Sequence, residues 1–138
     1  MEKNYQFRNS IYLLVDKYEL DLHNDYDFTR LNYSVEERTA ELHWKRSCRD
    51  WVKSDLPTAA ILVFYGISRF EFKPRDGDLP FTEDDCLSTM GYLSNEVGCE
   101  EIFWTEEAPE NEWMHAFEFM SGAVIVLQAE KSSATIKP

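Results

Sequence analysis

The pattern that most constrains this chain lies near its C-terminal end. Trp113, His115, Phe117 and Phe119 occupy every second position. Ser121-Gly122 then breaks the run, and Ala123 to Ala129 return as an almost unbroken apolar stretch. Side chains that recur with period two share one face of a strand, whereas a helix would scatter them round its axis. The segment therefore predicts a hairpin whose second strand is buried.

The same reading extends upstream. Leu31, Tyr33 and Val35 alternate with polar residues, as do Ala40, Leu42 and Trp44, and Glu36-Glu37-Arg38-Thr39 lies between them as a turn. A second hairpin is expected there, without the Asn-Gly signal that would fix its loop type. Ala59 to Tyr65 is continuously apolar, the pattern of a strand covered on both faces, and Gly66 marks a bend after it. Phe70 and Phe72 alternate up to Pro74, which cannot donate to a ladder. Leu87 to Leu93 and Glu101 to Thr105 read as two further short strands, with Glu106 to Asn111 as an acidic turn. Residues 74–85, rich in Pro, Gly and Asp, read as a loop, and Cys48 to Pro57 as a polar link carrying Trp51. Near the N-terminus, Ile11, Leu14, Val15, Tyr18 and Leu22 lie on one helical face behind Ser10 as a cap, so a helix from Ser10 to about Leu22 is expected. The competing reading is a strand through the same apolar run. Ser132 to Pro138 is expected to fray. The sum is one domain over residues 1–138, mainly β with an α+β element. It is an antiparallel sandwich or curled sheet of six to eight strands with one N-terminal helix.

The 138 residues suffice for a core without disulfides or a structural metal. The three cysteines, Cys48, Cys86 and Cys99, are odd in number and form no CxxC pair, which points to buried free thiols in a reducing compartment. The first ten residues carry no apolar signal region, and Ile11 to Val15 is far too short to span a bilayer. A cytoplasmic protein is expected. Its 26 acidic residues against 14 basic ones give a net charge of -12, spread along the chain. Such a field repels nucleic acid and anionic membranes and draws in basic proteins.

The motifs of common chemistries are missing. The chain contains no GxGxxG, no GxxxxGK[ST], no HExxH and no GxSxG. His43 should face away from the core if Trp44 faces into it, and His115 should pack among aromatics. Two acidic groups, Asp21 with His23, Asp25 and Asp27, and Asp76 with Asp78, Glu83, Asp84 and Asp85, lack the EF-hand pattern and read as solvated loops. Cys86 follows two aspartates, whose charge raises a thiol pKa instead of activating it. No catalytic residue, metal or cofactor is expected from these patterns.

Size, acidity and packing motifs together carry one resemblance. The motifs are Ile61 to Tyr65, Gly66-Ile67, Phe70-Glu71-Phe72, and Phe117-Glu118-Phe119 ahead of Gly122 and Ala129-Glu130. In these the chain resembles the small acidic immunity proteins of bacterial polymorphic toxin systems. That resemblance implies a non-enzymatic inhibitor that binds a cognate toxin, and it transfers no residue roles. The expected partner is a basic protein, steered to an acidic face and held by aromatic anchors. The residues expected to form that face are Asp76, Asp78, Glu83, Asp84 and Asp85, with Trp104, Glu106 and Glu107 on a neighbouring turn. Two other readings stand beside it. One is a small-ligand-binding domain or enzyme with His43 or His115 in a pocket inside a curled sheet. The other is a structural or assembly subunit with an apolar self-association face.

Overall fold

A computed structural model of the chain describes residues 3–93 and 114–138. These contain eleven strands: β1 (Tyr5–Arg8), β2 (Tyr12–Val15), β3 (Tyr18–Asp21), β4 (Tyr26–Ser34), β5 (Thr39–Arg46), β6 (Ala59–Tyr65), β7 (Arg69–Lys73), β8 (Leu87–Leu93), β9 (Met114–Phe119), β10 (Val124–Gln128) and β11 (Lys131–Lys137). They form three antiparallel sheets, ordered β1-β2-β3, β7-β10-β9-β8 and β11-β6-β5-β4. The mainly β, antiparallel expectation holds. The expected strand at Glu101–Thr105, the acidic turn after it, Trp113 and Cys99 lie outside the described residues.

The expected N-terminal helix is replaced by the first sheet. The run Ile11 to Val15 suits either period, and the turns decide between them. Asn9, Ser10 and Asp16 have φ of 50°, 63° and 52°. Asn and Asp tolerate this left-handed region better than most residues, and it interrupts a right-handed helix. Asp16-Lys17 closes a two-residue hairpin that pairs Val15 with Tyr18. Leu13, Val15 and Leu20 are then buried with period two.

The two four-stranded sheets pack face to face, and one strand reveals their crossing. Along β9, His115 meets Phe64 of β6 with ring centroids 4.9 Å apart. Phe117 meets Trp44 of β5 at 6.1 Å, and Phe119 meets Phe28 of β4 at 4.6 Å. Successive inward residues of β9 thus touch successive strands of the facing sheet, so the strands cross at a steep angle, as in orthogonal packing. The core between them includes Leu42, Leu62, Met90, Ile125 and Leu127. A second buried cluster, Leu93, Met114, Ala116, Val124 and Val126, lies on the opposite face of β8, β9 and β10. β10 is therefore buried on both faces, as its sequence predicts. β6 is not. Ala60, Leu62 and Phe64 are buried, but Ile61 and Val63 on its other face are half-buried and Tyr65 is exposed.

The segment expected to fray is β11. Its seven residues pair with β6 from Lys131↔Tyr65 to Lys137↔Ala59. Ser132 and Ala134 are buried on its inner face, while Lys131, Thr135 and Lys137 are exposed. Backbone amides and carbonyls of β6 need ladder partners, and a polar, small-residue strand supplies them as well as an apolar one. The first sheet then covers one flank of the sandwich. The Asn4 side chain donates to Ala134 O at 3.0 Å and accepts from Ala134 N at 2.7 Å, mimicking a ladder pair along β11. Met90 N of β8 donates to Ser10 O at 2.8 Å. Both free edges on that flank are thereby engaged, which blunts edge-to-edge association.

Candidate functional site: an acidic and aromatic face

The expected acidic loop folds around one arginine. After β7, the chain runs through Asp76 and Asp78 into a short 3-10 turn, Phe81–Asp85, which leads into β8. Arg75 Nε donates to Asp84 Oδ1 at 2.8 Å, and Arg75 Nη2 donates to the carbonyls of Leu79 at 2.6 Å and Pro80 at 2.9 Å. The Asp84 carboxyl is held below its usual range by that hydrogen bond from Arg75, helped by one from Ser121. Asp76 Oδ1 accepts from Asp78 N at 3.0 Å, and Asp76 N donates to Ser121 O at 2.7 Å, tying the loop to the β9–β10 turn. Gly122 in that turn has φ +86°, a conformation in which glycine is unstrained.

The two acidic groups that are distant in sequence meet here. Asp85 is raised above the ordinary carboxyl range by desolvation and then by the charge of Asp27 at the start of β4, while Arg49 opposes the rise. Arg49 Nη1 donates to Asp27 Oδ1 at 3.2 Å. The 3-10 turn that ends at Asp85 packs against β4. Of the expected acids, Asp76, Asp78, Glu83, Asp84 and Asp85 share one loop, and Arg75 already neutralises Asp84. Trp104, Glu106 and Glu107 lie outside the described residues.

Exposed apolar side chains interleave with these charges. Trp51 is 64% exposed and Phe81 is 81% exposed, and Leu79 and Met120 are also open to solvent. Met120 N donates to Cys86 O at 2.8 Å, which fixes the β9–β10 turn beside the 3-10 turn. The Trp51 indole donates to Asn24 O at 3.2 Å. Each exposed ring carries an arginine of the same chain. The Arg49 guanidinium carbon lies 5.7 Å from the Trp51 centroid, and that of Arg75 lies 4.8 Å from the Phe81 centroid. Phe81 gave no sequence signal as an anchor. Its neighbours Pro80 and Thr82 would have placed it in a loop, but burial of a lone loop phenylalanine is the ordinary expectation.

Among the described residues, the histidines occupy separate surroundings. His43 faces outward, its Nε2 donates to Glu41 Oε1 at 2.8 Å, and it lies on the face opposite the buried Trp44. His115 is 1% exposed among the rings of Tyr5, Phe7, Phe64 and Tyr92, and its Nε2 bonds the Tyr5 hydroxyl at 2.9 Å. The same hydroxyl bonds Ser132 Oγ at 2.8 Å, while His115 Nδ1 has no partner. Burial holds the His115 pKa down to about 3, with the charge of Lys3 adding to the effect. Cys86 Sγ is 3.5 Å from His23 Nδ1, but that nitrogen lies 2.5 Å from Leu87 O and must donate its proton there. Desolvation, Asp85 and Glu83 push the Cys86 thiol up. The imidazole is thus not placed to take the thiol proton, and the thiolate is disfavoured. Cys48 is exposed, contrary to the expectation of buried thiols, because it follows β5 in the polar link. Among the described residues, no group of three or more His, Cys, Asp and Glu is arranged to hold a metal ion. No described helix is long and apolar enough to cross a membrane.

Comparison of the chain with protein-family models, curated proteins and solved structures finds no match.

Proposed function

We propose that this chain is a non-enzymatic binding protein that captures a basic protein partner, acting as an immunity-type inhibitor of a toxin. The observation that carries the reading is the face around Asp85. There, the 3-10 turn packs against β4, Leu79, Phe81 and Met120 around it remain open to solvent, and Trp51 is exposed in the link after β5. Large apolar side chains exposed together among like charges are unusual on an unpartnered surface, and aromatic residues are the common anchors of interfaces. A net charge of -12 steers a basic partner toward the protein, and burial of the anchors then slows its departure. Repulsion of Asp85 by Asp27 favours a cation placed between them.

The test is co-purification from native lysate at low salt, identification of the bound protein, and reconstitution of the complex from purified parts. The expected result is a basic partner whose association rate falls steeply with added salt and falls again when Glu83→Gln and Asp85→Asn are combined. A partner whose association rate ignores both salt and the two substitutions would overturn the reading.

A further inference from the structure

The acidic and aromatic face carries its own description of what it binds. Two separate loops repeat one unit: an arginine ion-paired with an aspartate and laid over an exposed aromatic ring. The units are Arg49 with Asp27 and Trp51, and Arg75 with Asp84 and Phe81. A planar guanidinium can bond a carboxylate and stack on a ring at once, which an ammonium does less well.

The two arginines differ in how firmly they are held. Arg75 also bonds the Leu79 and Pro80 carbonyls and organises its loop, so it is a fixed part of the surface. The Arg49 side chain is 46% exposed. Among the described residues, its guanidinium bonds the one-third-exposed Asp27 at 3.2 Å and Ser47 Oγ at 3.1 Å. Exposed pairs of this kind are weak and readily exchanged.

We infer that the partner presents arginine rather than lysine to this face, and that a partner guanidinium replaces Arg49 on Asp27 and Trp51. Arg49 is thus a built-in competitor that occupies the site when no partner is present. This rests on the reading that the face binds a basic protein.

The experiment titrates the full chain with octa-arginine and octa-lysine peptides at low salt, following the Trp51 indole N–H by NMR. Octa-arginine is expected to bind more tightly and to shift that resonance. Arg49→Ala is expected to strengthen octa-arginine binding roughly five-fold, from the loss of a weak ion pair and a cation–π contact. Lys53→Ala removes the same unit of charge from the same link, without touching Trp51, and is expected to strengthen both peptides slightly and equally. Equal binding of the two peptides, or equal effects of Arg49→Ala and Lys53→Ala, would overturn the inference and leave the basic-partner reading standing. Failure of both peptides to bind would overturn both.

Discussion

His115 offers the sharpest test of the packing described above. Its imidazole lies among four aromatic rings, and burial depresses its pKa from 6.5 to about 3. In the unfolded chain it titrates near 6.5, so between those values the unfolded state binds a proton that the folded state does not. Stability from this group is therefore fully present above pH 6.5 and is lost as the pH falls towards 3. At about 1.4 kcal/mol per pKa unit, a drop from pH 7 to pH 4.5 removes about 2.5 kcal/mol. Carboxylates titrate in the lower part of that range too, so the quantity to measure is a difference between two proteins. His115→Phe keeps a ring in the cage, eliminates the unpartnered Nδ1, and leaves the Tyr5 hydroxyl its 2.8 Å bond to Ser132. Urea unfolding of both proteins at pH 7 and pH 4.5 should show the parent losing about 2.5 kcal/mol more than the variant over this interval. Equal losses would mean that His115 takes up its proton in the folded protein, and the dry, enclosed cage would be wrong.

Three further outcomes are expected. Deleting residues 131–138 should abolish cooperative thermal unfolding, because β6 loses its partner along seven positions; a truncated chain that melts like the parent would restore the frayed-tail expectation. Gly66→Ala should cost about 1–2 kcal/mol in chemical denaturation, since φ is +66° there and a Cβ would lie 2.7 Å from the Glu130 carboxylate. With Cys99→Ser in place, a thiol reagent at neutral pH should label the exposed Cys48 well before Cys86, whose thiol is raised by burial and by Asp85; faster labelling of Cys86 would contradict that environment.

What the sequence disclosed about the fold follows from how local each signal is. The β4–β5 hairpin and the β9–β10 pair were legible because a period-two sequence pattern and a turn signal coincide in one short window. Ser34↔Thr39 closes the first, and Ser121-Gly122 closes the second. The N-terminal segment misled because Ile11, Leu14 and Val15 satisfy a helical period as well as a strand. The deciding features are left-handed residues at Asn9, Ser10 and Asp16, and polar residues adopt that conformation without announcing it. β11 was illegible for a different reason. Its burial amounts to Ser132 and Ala134, and its stability comes from the β6 ladder and from Asn4, some 130 residues away in sequence. No window of the chain contains that information.

The candidate site divides in the same way. The acids of residues 76–85 were recognisable as an exposed loop, because Pro, Gly and Asp together exclude a strand there. Their meeting with Asp27 depends on β4 running beside the 3-10 turn, a product of the steep crossing of the two sheets. Two unrelated arginines form similar arrangements within their own loops. Arg49 and Arg75 are 26 positions apart and share no local motif, yet each lies over an exposed ring and on an aspartate. Separately, each is an ordinary surface ion pair worth little to stability. Together they leave two exposed rings that their arginines cover only in part. Such a surface adds little to the stability of the fold, and the proposed binding of a basic partner would complete it.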